Sequence, residues 1–239
     1  MVSEEARAIP PVSRINWNRA TRIIRSVYPP IDLFEDIADP ADWELIASAE
    51  AKTNPRVRDS IGKISLVPPE RRVSGPGASY VMAPFTHVSP ERPTRFSAGT
   101  FGVYYCGDRF EVALRETVYH FGRFMRATNE EPMTADFREL VGAAKASVHD
   151  IRRDERFADC LDPDDYGAAQ RLGKTLRDEH DSDGIVYRSV RHPKGFALAA
   201  FWPDVVSLPQ QARHLAYRWN GGEVDAWFAY GEDDWRNLG

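Results

Sequence analysis

Apolar positions fall into short runs whose period changes at turn-forming residues. Thr21 to Val27 reads Thr-Arg-Ile-Ile-Arg-Ser-Val and stops at Pro29-Pro30, the pattern of a first strand. Asp39-Pro40 offers an N-cap and a proline for the first helical turn, with Asp42 complementing the dipole. This predicts a helix through Trp43, Leu45 and Ile46 that ends before Asn54-Pro55. Residues 68–99 are dense in turn formers, Gly75-Pro76-Gly77 among them, and predict a long irregular region with short strands. Gly99 to Cys106 carries Phe101, Val103, Tyr104 and Tyr105 and predicts a strand. Asp108 then caps an expected helix from about Arg109 to Arg126, with Phe110, Ala113, Leu114, Thr117, Val118 and Phe121 as its apolar stripe. Asp162-Pro163 opens a further helix that ends before Asp183-Gly184. Gly184 to Arg191 and Gly195 to Trp202 read as two strands joined through His192-Pro193-Lys194-Gly195. Strands with inserted helices, in no regular βαβ array, predict an α+β fold with a mixed sheet.

Composition narrows the class. The chain has 239 residues, 42% hydrophobic and 28% charged, which fits a packed globular protein of one large domain or two small ones. Residues 1–15 are polar and interrupted by proline, and read as an N-terminal arm; 16–210 form the expected domain. Residues 211–239 are an acidic tail with Trp219, Trp227 and Trp235, packed on the core or on a partner. Cys106 and Cys160 belong to no CxxC pair, which fits a reducing cytoplasm and argues against a disulfide scaffold or a zinc site. No stretch approaches the ~18 apolar residues of a membrane span, and the N-terminus lacks a signal pattern. Thirty-one basic against thirty-six acidic residues, net −5, disfavour nucleic acid as the main partner.

Several chemistries fail on spacing. Gly173-Lys174-Thr175 resembles the end of a P-loop, but the glycine required five positions earlier is Ala168. No Gly-x-Ser-x-Gly elbow exists, and the histidines have no ligand spacing, so neither an α/β-hydrolase nor a metal centre is supported. Gly99-Thr-Phe-Gly102 lacks the dinucleotide fingerprint of a Rossmann turn.

One ordered set of motifs remains. Thr94-Arg95-Phe96-Ser97-Ala98-Gly99-Thr100-Phe101-Gly102-Val103-Tyr104-Tyr105 is followed by Ala113-Leu114-Arg115-Glu116-Thr117-Val118-Tyr119-His120, and then by Gly184-Ile-Val-Tyr-Arg-Ser-Val-Arg191. With the opening Thr21-Arg22-Ile23-Ile24, these resemble the RES domain family, named for its Arg, Glu and Ser, over roughly Thr21 to Leu208. The resemblance implies a single domain like that of ADP-ribosyltransferase toxins and a bacterial toxin held by a cognate antitoxin in a hetero-oligomer. It implies NAD+ as co-substrate: the nicotinamide–ribose bond is cleaved and ADP-ribose passes to a protein target, or NAD+ is depleted by water or phosphate. The Arg-Phe-Ser-Ala-Gly motif is similar to the ParT-like branch. Two departures stand out: Pro93-Thr94-Arg95-Phe96 replaces the common Gly-Gly-Arg-Trp, and Arg188 stands where a proline often precedes the serine.

Breaking this bond passes through an oxocarbenium-like state with a neutral leaving group. It needs a fixed dinucleotide, a negative group near the ribose and an oriented acceptor. The resemblance makes Glu116, Arg95 and Ser189 the catalytic candidates, with Arg22, Arg95, Tyr105, Ser189 and His120 for NAD+ binding and no metal. The residues alone allow plainer readings. Glu116 lies about 120° from the centre of its helix's apolar stripe, taking roughly 100° per residue, as a solvated glutamate would; His120 at i+4 extends a polar edge. Tyr105 on a strand is otherwise a core aromatic, Arg95 a loop cation and Ser189 a solvent-facing strand serine. Ser189 lacks an aimed base and reads as a hydrogen-bonding group on the nucleotide. Arg22 and Arg25 point to opposite faces of an ideal strand, so only one faces the site, and the motif selects Arg22. A non-catalytic interaction module and a serine hydrolase using Ser189 are the competing readings.

Overall fold

The β-branched and aromatic runs pair into one ten-stranded sheet, so the fold is α+β as expected. The computed structural model describes residues 8–28, 39–50 and 61–238. The strands are β1 (Val12–Arg14), β2 (Trp17–Arg25), β3 (Tyr104–Gly107), β4 (Met133–Ala144), β5 (Ser147–Asp150), β6 (Gly184–Arg188), β7 (Phe196–Ala200), β8 (Gln210–Trp219), β9 (Val224–Ala229) and β10 (Arg236–Asn237). They lie in the order β1-β5-β6-β7-β3-β2-β4-β8-β9-β10. Neighbours are antiparallel except the parallel pair β5–β6. Among the described residues the α-helices of eight residues or more are α1 (Trp43–Glu50), α2 (Ala78–Thr86), α3 (Phe110–Thr128) and α4 (Gly167–Glu179).

Most predicted elements are present with shifted ends. The first strand begins earlier, at Trp17, because β2 runs along β4 as well as meeting β3. The chain turns at Ser26–Tyr28, where Tyr28 N donates to Arg25 O. The expected helix stop before Asn54-Pro55, the prolines 29 and 30 and arm residues 1–7 lie outside the described residues. Asp39 accepts from Ala41 N (2.9 Å), and α1 starts four residues later at Trp43. The strand expected from Gly99 starts at Tyr104, because Ser97 organises the preceding backbone. Its hydroxyl donates to Phe101 O (2.6 Å) and accepts from Gly99 N (3.1 Å). Asp108 does not cap α3; its Oδ1 accepts from Phe196 N (3.1 Å) and so ties the helix entry to β7.

Two expectations are corrected. Part of the region read as irregular with short strands is the helix α2, which buries Ala78, Val81, Met82 and Phe85 at helical spacing. Gly77 supplies its left-handed entry (φ 88°). The helix expected from Asp162-Pro163 starts at Gly167, because Asp162 folds an Asx turn first, accepting from Asp164 N and Asp165 N (both 2.8 Å).

β8, β9 and β10 bring the C-terminal segment into the sheet. β8 pairs with β4 from Met133↔Trp219 to Val141↔Gln210, and β9 pairs with β8. Trp219 and Trp227 are buried with Phe121, Met125, Phe137 and Tyr217 beneath α3, while Trp235 stays exposed. A second cluster, with Phe96, Phe101, Leu172, Leu176 and Tyr187, packs α4 on β6 and β7. These two cores clamp α3 and the residue 93–101 loop against one face of the sheet, and that arrangement positions the site.

Candidate active site

β2 and β3 pair only at Thr21↔Gly107. Where they part, a cavity of about 360 Å³ opens, within the ~300–1,000 Å³ range of ligand pockets. β2, β3, the 93–95 loop, the inner edge of α3 and Tyr166 before α4 contribute its walls. Arg22, Arg95, Tyr105, Glu116 and His120 all line it, so five of the six residues singled out from the sequence share one cavity.

Arg22 extends from β2 into the gap. Its Nη1 donates to the Tyr105 carbonyl (3.2 Å), and its guanidinium lies over the Tyr104 ring at 4.5 Å. Its Nε is buried and has no hydrogen-bond partner among the described residues. Arg25 stacks on Phe121 (5.4 Å) and does not line the cavity.

Arg95 is 8% exposed. Its Nη1 donates to the carbonyls of Cys160 (3.0 Å) and Asp162 (2.7 Å), and the Tyr166 ring lies 4.5 Å from the guanidinium. Neither Arg22 nor Arg95 forms an ion pair with a described carboxylate. Arg71, Arg109, Arg152, Arg156, Arg213 and Arg218 all do. The two cavity cations are therefore fixed by neutral oxygens and rings, and their charge is left for an anion.

Tyr105 is held by its hydroxyl, which donates to Thr94 Oγ1 (3.0 Å) and accepts from Phe96 N (3.0 Å). Burial pushes its pKa up to about 12, so the phenol is neutral. The phenol fixes the arginine loop to β3, and the cavity meets the tyrosine as a wall. Burial likewise pushes the Cys106 thiol up to about 12, which makes it inert.

Glu116 sits on the cavity side of α3, half-buried. Ser189 Oγ donates to its Oε1 (2.7 Å), and Arg191 N lies 3.5 Å from the same oxygen. Ser189, expected on the nucleotide, turns its hydroxyl onto Glu116. Ser189 is 1% exposed, does not line the cavity, and accepts from His192 N (3.0 Å) while donating to Glu116. His192 offers it a backbone N–H rather than an imidazole base, so the serine has no activation as a nucleophile.

His120, one turn beyond Glu116, is accessible at the cavity rim. Desolvation lowers its pKa below the usual histidine value; Glu116 opposes this, and Arg191, Arg95 and Arg123 reinforce it. Arg123, Tyr166 and Tyr187 also line the cavity and escaped the sequence reading. Arg123 had a signal: Glu116, His120 and Arg123 follow i, i+4, i+7, one polar stripe on α3. Tyr187 faces the site two residues before Ser189, and burial raises its pKa well above 10.0. Tyr166 had no local signal. With Arg22, Arg95 and Arg123 against Glu116, the cavity is cationic and carries a single acid.

Among the described residues, no group of His, Cys, Asp and Glu side chains could hold a metal ion, and no helix is long and apolar enough to cross a membrane. The chain is 26% identical over 209 residues to Uncharacterized protein y4oC of Sinorhizobium fredii (strain NBRC 101917 / NGR234), which covers 87% of this chain and 86% of that protein. The sequence model of the RES domain matches residues 69–220, which hold Arg95, Tyr105, Glu116, His120 and Ser189. The chain therefore belongs to the RES domain family, a toxin–antitoxin-associated family linked to NAD+ use.

Proposed function

We propose that this protein is the toxin of a bacterial toxin–antitoxin pair, and that it binds NAD+, cleaves the nicotinamide–ribose bond and transfers ADP-ribose to a protein target in the cytoplasm. The observation that carries the reading is the convergence of Arg22 and Arg95, neither in an ion pair with a described carboxylate, on a cavity whose one lining carboxylate, Glu116, is fixed by Ser189. The unpartnered Arg22 Nε fits a ligand oxygen at that point.

In this reading the arginines hold the pyrophosphate. Tyr105 and Tyr187 wall the nicotinamide end. Glu116 accepts from a ribose hydroxyl and stabilises positive charge as the C1′–N bond lengthens, while nicotinamide leaves neutral with the bonding electrons. Ser189 is a positioning residue that holds Glu116 in one rotamer. A cognate antitoxin keeps the enzyme silent until it is removed.

The test is nicotinamide release from NAD+ by the full chain freed of antitoxin, with labelled NAD+ and cell lysate present. Transfer predicts label on a protein band, and Glu116→Gln lowers turnover by at least ~10²-fold, the scale of one positioned electrostatic group. Label found only in free ADP-ribose moves the assignment to a glycohydrolase. Absence of nicotinamide release overturns the proposal.

A further inference from the structure

The mechanism above leaves the incoming acceptor without a proton acceptor. Glu116 is occupied by the Ser189 hydroxyl and directed at the ribose. The Tyr105 and Tyr187 phenols are buried and neutral, and Cys106 is a buried thiol. Arg22, Arg95 and Arg123 are cations that cannot accept a proton. The Tyr166 ring is taken up against the Arg95 guanidinium (4.5 Å), and His120 is the remaining ionisable group on the cavity wall.

Its placement suits that task. It lies at i+4 from Glu116 on α3, which puts the two Cβ atoms ~5–6 Å apart along one helix face. Among the described residues no protein group hydrogen-bonds either ring nitrogen. The imidazole meets the Tyr119 ring edge-to-face, with centroids 5.3 Å apart. Tyr119 is itself held beneath the Arg191 guanidinium at 3.3 Å, and Arg191 Nη2 is anchored on Pro163 O (2.8 Å). The ring is thus seated against Tyr119, without a protein hydrogen bond at either nitrogen among the described residues, and accessible to solvent, where an acceptor enters and a proton leaves.

We propose that His120 is the general base of the transfer, and that the acceptor is a nucleophile bearing an O–H group, water or a protein hydroxyl, rather than a carboxylate or phosphate. This rests on the NAD+-cleaving reading of the same cavity. In the step, the acceptor oxygen bonds to C1′ and the C1′–N bond breaks, its electron pair leaving with nicotinamide. The acceptor's O–H proton passes to a free nitrogen of His120 and then to solvent. The charged groups that face the ring are Glu116, which favours the imidazolium, and Arg95, Arg123 and Arg191, which oppose it; together with desolvation they keep the imidazole neutral near pH 7.

The experiment measures nicotinamide release by the full chain, wild type and His120→Ala, from about pH 5 to about pH 9, with and without sodium azide, and identifies the ADP-ribosyl product. Azide is an anion that attacks carbon without losing a proton. The wild type should show an acid limb below about pH 6.5, where His120 protonates. At neutral pH, His120→Ala should lower kcat by at least ~10²-fold and change KM for NAD+ by much less. Azide should raise the variant's turnover at least tenfold and the wild type's far less. Free ADP-ribose or a hydroxylamine-resistant label on protein supports an O–H acceptor; a hydroxylamine-labile ester or a phosphate product overturns it. A variant that keeps the wild-type acid limb, or is changed only in KM, removes His120 from the chemistry while leaving the Glu116 reading intact. A wild type that releases no nicotinamide overturns both readings.

Discussion

Replacing Ser189 by alanine separates a positioning role from a binding role. The hydroxyl makes one short charge-assisted bond, to Glu116 Oε1 at 2.7 Å, and accepts one, from His192 N at 3.0 Å, in a site 1% exposed to solvent. Removing it leaves that carboxylate oxygen with only the 3.5 Å approach of Arg191 N and strands the His192 N–H. A hydrogen bond to a charged group contributes about 1.5–3 kcal/mol. If that energy is lost in the transition state, kcat falls about 10- to 150-fold at about 1.4 kcal/mol per tenfold. The loss should appear in kcat, with KM for NAD+ nearly unchanged, because Ser189 does not line the cavity. Ser189→Thr, which keeps the hydroxyl, should recover part of the rate. Steady-state nicotinamide release across NAD+ concentrations gives both constants. A variant with wild-type kcat and a raised KM would refute the argument, because the serine would then bind nucleotide directly.

Further outcomes follow from the same geometry. Arg22→Ala should raise KM for NAD+ at least about tenfold, the scale of a charge-assisted contact, whereas Arg25→Ala, lost from the Phe121 ring, should leave KM within about twofold. Gly102→Ala would place a Cβ 2.3 Å from both Pro84 O and Phe85 Cα. That should cost at least about 3 kcal/mol and lower Tm by about 6–12 °C in a thermal melt. Asp150 is worked upward by burial, but hydrogen bonds from Arg152 and Ser13 outweigh this and hold its pKa below 3.8. A lowered folded-state pKa adds stability above the ordinary carboxylate value and loses it as pH falls through the folded value. Asp150→Asn should therefore lower the urea midpoint at pH 7, and the gap to wild type should close below about pH 4.

The site was legible where its signal was local. Arg95 and Glu116 stand beside a strand and on a helix whose periods are plain in the sequence. Of Arg22 and Arg25, Arg22 lines the cavity, together with its neighbours Thr21 and Ile23. What stayed hidden depended on partners far along the chain. Ser189 meets Glu116 across 73 residues, so its bond to an acid was invisible in a motif that placed it on the nucleotide. β4 reads poorly as a strand because Glu139 interrupts its apolar face. That carboxylate is 1% exposed and neutralised by Arg213 of β8 at 2.6 Å. β8 and β9 were masked by their charged, outward-facing residues, although Trp219 and Trp227 turn inward. Gly75-Pro76-Gly77 signalled a loop, while its glycines also supply the entry to α2.

The position of the cavity within the sheet explains why its cations stay unpaired. The flanking pairings run further: β2 pairs with β4 from Trp17 to Arg25, and β3 with β7 along its whole length. Between β2 and β3 the pairing stops after one residue pair, so backbone carbonyls that would otherwise complete a ladder are free to accept from side chains. The Tyr105 carbonyl accepts from Arg22 in this way. The C-terminal end of the 3-10 helix Glu155–Leu161 likewise leaves carbonyls without a helical partner, and Arg95 donates to those of Cys160 and Asp162. Fixing a guanidinium on carbonyls rather than carboxylates orients it without cancelling its charge. An arginine so held keeps an unmet electrostatic demand that a bound anion would satisfy, the pyrophosphate in the proposed reaction. Replacing the single β2–β3 bridge by a longer ladder would pair those carbonyls, release Arg22 and close the gap, so the break in the sheet is a structural condition for the site.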